Sequence, residues 1–304
     1  MNKKAEIKFL DDNIKKQTQL KEESEKNLEE DNLKKNIEVL NNKSIQNLIN
    51  NDILIKVANT INTQNCLINT SLDNSKSLQY LNISNHNIGD ANLRSILCFL
   101  EKYELRTLDV SSNEITDKGL IYLNNYPQKL SKLNLSNNKI IKQGLILLKN
   151  RFDSLGSHYF NCFSHLQTLN LCGNEITDEG LYNLLSCKEL FLMLENLYLE
   201  NCDLSDVFLS YLCEDGGNDV GLYNKAIKMF LNNLRILDLS SNSLTTSGLN
   251  IFLSSDDFVN LKYLYLRSNK ITSEILSIEF SAMQNLIEID FSHNEGLNAI
   301  LSLK

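Results

Sequence analysis

His158, Cys162 and His165 lie close together in the sequence and are side chains that could bind a metal ion. Tetrahedral zinc sites usually take four protein ligands, and this stretch offers only these three. The loop EDGGND at 214–219 is acidic, but it lacks the D-x-D-x-D-G order and the closing Glu of a calcium loop. The sequence therefore predicts no metal site and no cofactor.

The residue arrangements that catalysis requires are also missing from the sequence. The four histidines, at positions 86, 158, 165 and 293, are far apart in the frame of the internal repeat described below, so a shared acid–base site is not expected. No GxxxxGK[ST] or GxGxxG motif is present for phosphates, and no nucleophile elbow or papain-like motif surrounds any Ser or Cys. We therefore predict a protein that is not an enzyme and expect no small-molecule ligand.

Composition restricts the class of partner and the compartment. The chain has 304 residues, a net charge of −8 and a pI near 5.2, which argues against binding nucleic acid by neutralising phosphates. No apolar stretch has the length of a signal peptide or a membrane span. The seven cysteines contain no CxxC and are expected to be reduced thiols. We expect an intracellular protein, cytoplasmic or nuclear, that binds neither nucleic acid nor membrane.

An internal repeat provides the elements that position the remaining polar side chains. The pattern LxxLxLxxNxL occurs in eight copies, whose starting points are 25 to 40 residues apart. LxxLxL predicts a short strand, because alternate side chains of a strand point to opposite faces and the leucines can face a core. The copies are 78–88, 105–115, 130–140, 166–176, 194–204, 234–244, 261–271 and 286–296.

The repeat, followed in most copies by an apolar i, i+3, i+4 pattern, resembles the leucine-rich repeat family, ribonuclease-inhibitor-like subtype. The resemblance implies an α/β fold: a solenoid (horseshoe) with parallel β-strands on the concave face and helices on the convex face. The repeat domain of about eight copies covers 78–304. We expect a polar, charged extension over 1–43, either helical or disordered, and an N-terminal helical cap over 44–77.

The ninth position of each copy is predicted to hold a buried, structural side chain. The chain turns sharply after each strand, and an amide can satisfy the backbone groups that the turn leaves without strand partners. This position is occupied by His86, Asn113, Asn138, Asn174, Cys202, Asn242, Asn269 and Asn294.

The segment NEITD-K/E-GL occurs twice, at 113–120 and at 174–181. Thr followed by an acidic residue is typical of a helix start. We therefore expect Thr177 and Asp178 to begin a helix, and Gly180 to allow that helix to approach a strand closely.

Three segments depart from the regular repeat. The longer copies carry insertions at 149–165 and 213–233, which are predicted to form loops that often decorate a binding face. The last copy is followed by GLNAILSLK without an obvious polar cap, so we expect an exposed end to the array.

Binding is expected on the concave face, which the second, third, fifth, seventh and eighth positions of each copy line. The early copies place small polar side chains there, whereas copies five to seven place aromatic and charged ones. Tyr and Arg are enriched in binding hot spots. The predicted protein-binding residues are Tyr198, Glu200, Arg235, Asp238, Tyr263, Tyr265 and Arg267. The alternative is that these are ordinary strand residues that pack on one another.

The leading functional hypothesis is a non-catalytic protein–protein interaction scaffold or adaptor that grips a protein partner on the concave face. The resemblance also allows a GTPase-activating protein similar to the Ran GTPase activator. That family has a long acidic tail and an Arg-bearing early loop; neither is matched here, although Arg94 and Arg106 lie in the first two repeats. A cytoskeletal or axonemal structural subunit is a third possibility.

Overall fold

Nine short strands form one continuous sheet. The computed structural model describes residues 79–101, 104–126, 129–155, 162–187, 193–213, 231–255, 258–277, 283–297 and 299–303. The predicted extension, the helical cap, the central parts of both insertions and His158 lie outside these residues. The strands are β1 Tyr80–Asn82, β2 Thr107–Asp109, β3 Lys132–Asn134, β4 Thr168–Asn170, β5 Asn196–Tyr198, β6 Ile236–Asp238, β7 Tyr263–Tyr265, β8 Glu288–Asp290 and β9 Ile300–Ser302.

The strands follow one another across the sheet in chain order. β1 to β8 are parallel, and the central leucine of each pairs with its counterpart in the next copy, as Leu197 pairs with Leu237. β9 turns back and pairs antiparallel with β8, with Leu301 opposite Ile289. The array therefore differs from the expected exposed end, because the final strand covers the edge of the eighth copy.

Helices lie on one side of the sheet, and the leucine core lies between the two layers. The described α-helices are α1 Gly89–Leu100, α2 Asp117–Asn124, α3 Lys142–Leu155, α4 Thr177–Leu185, α5 Asp206–Cys213 and α6 Thr246–Leu253. In the described part of the seventh copy, the segment after the strand forms a 3-10 helix, Ser273–Ser277. Leu194, Leu197 and Leu199 of the fifth copy are all buried, and burial of each such side chain contributes about 2 kcal/mol.

The ninth-position side chains make a ladder of hydrogen bonds between neighbouring copies. The Asn138 amide donates to Val110 O of the preceding copy at 3.0 Å, and its Oδ1 accepts the N–H groups of Asn113 and Ile115. The asparagines at 113, 174, 242, 269 and 294 make equivalent bonds. Cys202 has only its thiol, which donates to Leu171 O at 3.3 Å. The backbone of each copy is thus hydrogen-bonded by the ninth-position side chain of the copy that follows it.

A second ladder joins the starts of the helices. Asp90 on α1 accepts the Thr116 N–H, the Gly119 N–H and, at 2.6 Å, the Thr116 hydroxyl. Asp206 on α5 accepts the N–H and hydroxyl of Thr245 in the same way. We call the turn from each strand into its helix a corner. Where the corner has an Asp, at 90, 117, 178 and 206, that Asp binds the corner of the next copy and lies in the first turn of its own helix.

The corner glycines fit beside these carboxylates. A Cβ added at Gly144 would overlap the carboxylate of Asp117, and one added at Gly248 would overlap that of Asp206. At Gly180 the crowding atoms are the backbone and Cβ of Lys142, at the start of α3. The expectation that glycine seats a helix against a strand is therefore corrected: the close approach is between successive helices.

The two NEITD segments form different corners although their sequences are the same. Thr116 has an extended backbone and caps α2 by accepting the Lys118 N–H. Thr177 instead has φ +60°, and its buried hydroxyl oxygen has no hydrogen-bond partner among the described residues. A β-branched residue is strained in this left-handed conformation.

Residues in both neighbouring copies explain why Thr177 differs in conformation from Thr116. The preceding copy has Lys142 at the position where four other copies have Asp, and among the described residues no carboxylate binds the Thr177 hydroxyl. The following copy has Cys202 in place of Asn, so the Ile176 N–H turns to Asn174 O at 2.9 Å instead of binding an amide oxygen. The sequence of a corner alone does not determine its conformation.

Candidate protein-binding surface

The outward side chains of copies five to eight, at motif positions two, three, five, seven and eight, lie next to one another on the sheet. We call them the β5–β8 surface. Strand register places Tyr198 beside Asp238, and Asp238 beside Tyr265. The two tyrosines therefore flank one carboxylate across strands spaced about 5 Å apart.

The fifth position of the motif has a backbone role in six of the eight copies. Its Asn or Asp side chain accepts the N–H of the residue two positions further on, at 2.8 to 3.0 Å. Asx side chains stabilise turns in this way. These acceptors are Asn82, Asp109, Asn134, Asn170, Asp238 and Asp290.

Tyr198 and Tyr265 occupy the same position and cannot make this bond through a carboxylate or amide. The Glu200 N–H, which an Asx side chain would otherwise bind, donates to the Cys172 thiol at 3.2 Å. The two tyrosines thus replace a local stabilising contact with aromatic rings on the outer face of the sheet. They are the two fifth-position residues whose presence is not explained by a hydrogen bond within the turn.

Charge and burial raise the pKa values along the row of fifth-position residues Tyr198, Asp238 and Tyr265. Burial raises the pKa of the Tyr265 hydroxyl to about 12, and the negative charges of Glu288 and Asp238 add to the rise. Burial, followed by the nearby Asp238, also raises the pKa of Tyr198. The pKa of Asp238 is raised because loss of water around its carboxylate outweighs the hydrogen bond from the Ser240 N–H. The row is a half-buried, negatively charged environment.

The two predicted arginines are held by carboxylates that sequence reasoning did not assign to the site. Arg235 pairs with Glu195 at 3.4 Å, and Arg267 pairs with the buried Asp290 at 3.8 Å. Arg235 and Glu195 both occupy the second position of their copies, so the repeat alignment already indicates that they are neighbours. Glu200 accepts the Ser241 hydroxyl at 3.2 Å.

Six of the seven predicted residues form one cluster on the β5–β8 surface. Tyr263 lies two residues before Tyr265, so it is on the same face of the sheet, and its strand neighbours are Ile236 and Glu288. Glu200 and Arg267 follow the same strands at the seventh position. Arg235 lies apart, because it precedes β6 at the opposite end of the strands.

The surface has no arrangement suited to a metal or a nucleophile. Among the described residues, no group of three or more His, Cys, Asp or Glu side chains is placed to hold a metal ion. Burial raises the pKa of the Cys172 and Cys202 thiols to about 12, so both are protonated at neutral pH. No helix in the described part of the chain has the length and apolar character needed to cross a membrane.

Arg94 and Arg106 take part in contacts within the repeats. The Arg94 guanidinium lies over the Tyr122 ring, 5.5 Å from its centre. Arg106 donates to the Lys129 carbonyl at 3.4 Å. Arg94 lies on α1, on the helix side, whereas Arg106 directly precedes β2, so the two are not part of the β5–β8 surface.

Comparison with known families agrees with the repeat architecture. A family model described as Leucine Rich repeat matches residues 74–97, 105–123, 164–185 and 230–250. A second, Leucine Rich Repeat, matches residues 260–283. The chain therefore contains leucine-rich repeats and has an α/β solenoid fold, as the sequence predicted.

Comparison with individual proteins adds little. No curated protein matches the chain by sequence. Among solved structures, a chain in an octameric complex of Latrophilin 3 (Lec, Olf), Unc5D (Ig, Ig2, TSP1) and FLRT2 (LRR) is 20% identical, with a TM-score of 0.38. The alignment covers 64% of this chain and 55% of that one, so it spans about half of that chain's length. A likeness at this TM-score carries no functional argument.

Proposed function

We propose that this protein is a non-catalytic interaction scaffold that binds a protein partner through the β5–β8 surface. The observation that carries the proposal is the pair Tyr198 and Tyr265, which stand where the other six copies have an Asn or Asp bonded to its own turn. Half-buried tyrosines with little conformational freedom are the kind of side chain that dominates interface energies.

The solenoid supports this proposal through its rigidity. Parallel strands in continuous register hold the outward side chains at fixed spacing, so binding requires little reordering of the scaffold. The ion pairs of Arg235 and Arg267 further fix the two longest side chains of the surface. The partner would therefore meet a preformed surface, in the manner of a ribonuclease-inhibitor-like repeat protein inside the cell.

A double variant tests the surface directly. Tyr263→Ala together with Tyr265→Ala should weaken partner capture at least about thirtyfold, since a hot spot is worth about 2 kcal/mol. The matched control is Tyr80→Ala, which removes an exposed tyrosine at the third motif position of the first copy. Circular dichroism checks that both proteins fold, and crosslinking mass spectrometry locates the partner's footprint. Undiminished capture by the folded double variant would show that these residues are ordinary strand residues.

A further inference from the structure

The β5–β8 surface has more carboxylates than positively charged side chains. Its outward positions contain five carboxylates, at 195, 200, 238, 288 and 290, against three cations, at 235, 262 and 267. Arg235 and Arg267 already pair with Glu195 and Asp290. Within the described residues, Glu200, Asp238 and Glu288 have no cation within ion-pair distance.

Asp238 is the central member of these three carboxylates. Tyr198 and Tyr265 flank it in register on the neighbouring strands, so their Cα atoms are two strand spacings, about 10 Å, apart. One carboxylate oxygen accepts the Ser240 N–H at 3.0 Å. The Ser240 hydroxyl also acts on the carboxylate, and Arg267 acts on it only as a nearby charge.

A buried hydroxyl lies beside this carboxylate. Ser240 is 3% exposed, and its Oγ is near Asp238 but makes no hydrogen bond of normal geometry to any described group. In the second copy the equivalent hydroxyl, Ser111 Oγ, donates to Asp109 at 2.7 Å. The Ser240 hydroxyl therefore lies beside the Asp238 carboxylate without the short bond that its counterpart makes in the second copy.

We infer that the partner presents a cationic segment and inserts a Lys or Arg side chain over Asp238, between the rings of Tyr198 and Tyr265. This inference rests on the proposed function and specifies the partner's chemistry. The carboxylate neutralises the cation, and the two ring faces attract it. Glu200 and Glu288 would steer neighbouring basic residues of the same segment.

Asp238→Asn is a suitable probe because the fold already uses Asn at this position. Asn82, Asn134 and Asn170 accept the same turn N–H through Oδ1, so the variant loses the charge and keeps the turn. Glu175→Gln is the matched control, since it removes one charge from an exposed residue that lies off the outer face of the sheet. Tyr198→Leu tests the aromatic flank.

The direct assay measures fluorescence anisotropy of a labelled peptide of four Gly-Arg repeats, with four Gly-Gln repeats as the neutral peptide and the full-length chain as receptor. Asp238→Asn should weaken Gly-Arg binding about fivefold or more, Tyr198→Leu should weaken it by a similar factor, and Glu175→Gln should leave it within about twofold. Equal weakening by Asp238→Asn and Glu175→Gln would overturn the inference, since only overall acidity would then matter. Binding of the Gly-Gln peptide with equal affinity would overturn it as well.

Capture of the natural partner separates this inference from the proposed function. If the Tyr263→Ala, Tyr265→Ala variant loses the partner and Asp238→Asn retains it, the surface stands and the cationic segment is refuted. If neither variant changes capture, both are refuted. Loss with both variants, together with Lys or Arg residues of the partner crosslinked next to Asp238, is the expected result.

Discussion

Thr116 and Thr177 stand at the same position of two identical pentapeptides, and replacing each with alanine should have opposite effects on stability. The Thr116 hydroxyl donates to Asp90 at 2.6 Å and accepts the Lys118 N–H. The Thr177 hydroxyl is buried without a partner in the described structure, on a backbone with φ +60°. The first side chain makes contacts that the second lacks.

The magnitudes follow from those contacts. Thr116→Ala removes a helix cap worth about 1 kcal/mol and a hydroxyl–carboxylate bond worth roughly 1.5 kcal/mol, so unfolding should become easier by about 2 kcal/mol. Thr177→Ala removes an unsatisfied hydroxyl and should be neutral or stabilising by up to about 1 kcal/mol. Thr177→Gly should stabilise further, because Gly89 has the equivalent φ of +59° without strain.

Urea unfolding followed by circular dichroism measures the difference. With a slope near 3 kcal/mol/M, about 2 kcal/mol lowers the midpoint of the Thr116 variant by roughly 0.7 M. Hydrogen exchange gives a local check, because the Gly119 amide that donates to Asp90 should lose protection in Thr116→Ala. Equal midpoints for the two alanine variants, or a larger loss for Thr177→Ala, would refute the idea that neighbouring copies decide the role of this threonine.

Three further predictions concern the same ladders and the proposed surface. Ile141→Thr should raise the free energy of unfolding by about 1 kcal/mol in urea titrations. Asp117 already accepts the Ile141 N–H, and the new hydroxyl could donate to the same carboxylate, as the Thr116 hydroxyl donates to Asp90. Ile141→Val, which has the shape of threonine without the hydroxyl, should give no such gain. Gly248→Ala should cost at least about 2 kcal/mol, since the new Cβ overlaps the Asp206 carboxylate, whereas alanine at the exposed neighbouring position 247 should cost little. Stability should fall as pH rises from about 10 towards 12, because folded Tyr265 keeps its proton after the unfolded phenol has lost it; in Tyr265→Phe this part of the decline should disappear, and an unchanged profile would contradict the assignment.

The strands and core could be predicted from the sequence because each depends on residues within one copy. The leucines of LxxLxL bury themselves wherever the motif occurs, and the sheet follows from their spacing. The corner at Thr177 could not be predicted in this way, since its conformation depends on Lys142 in one neighbouring copy and Cys202 in the other. Nor did the composition of copy eight indicate that Ile300–Ser302 would reverse direction and pair with it.

The proposed surface was partly accessible to sequence reasoning. The alignment brought Tyr198, Asp238 and Tyr265 into one column, and strand register makes them neighbours. The backbone role of the fifth position was missed, although the recurring Asx-x-Ser triplet, as in 109–111 and 238–240, carried the signal. Recognising it changes which residues are informative: Asp238 serves the turn as well as the outer surface, while the tyrosines do not serve the turn.

The missing connections around Thr177 have a consequence for how the array comes apart. In a linear chain of copies, stability is close to the sum of each copy and its contacts with its neighbours, so unfolding starts where a contact is weakest. Between the third and fourth copies an exposed Lys142–Glu179 ion pair, at 2.8 Å, replaces the carboxylate ladder, and exposed ion pairs stabilise little. Between the fourth and fifth copies the Cys202 thiol replaces the amide. The contacts between copies are therefore weakest near the middle of the solenoid, and partial unfolding should separate the copies on either side of this point. The strands that carry Tyr198 and Tyr265 should stay together in the C-terminal part.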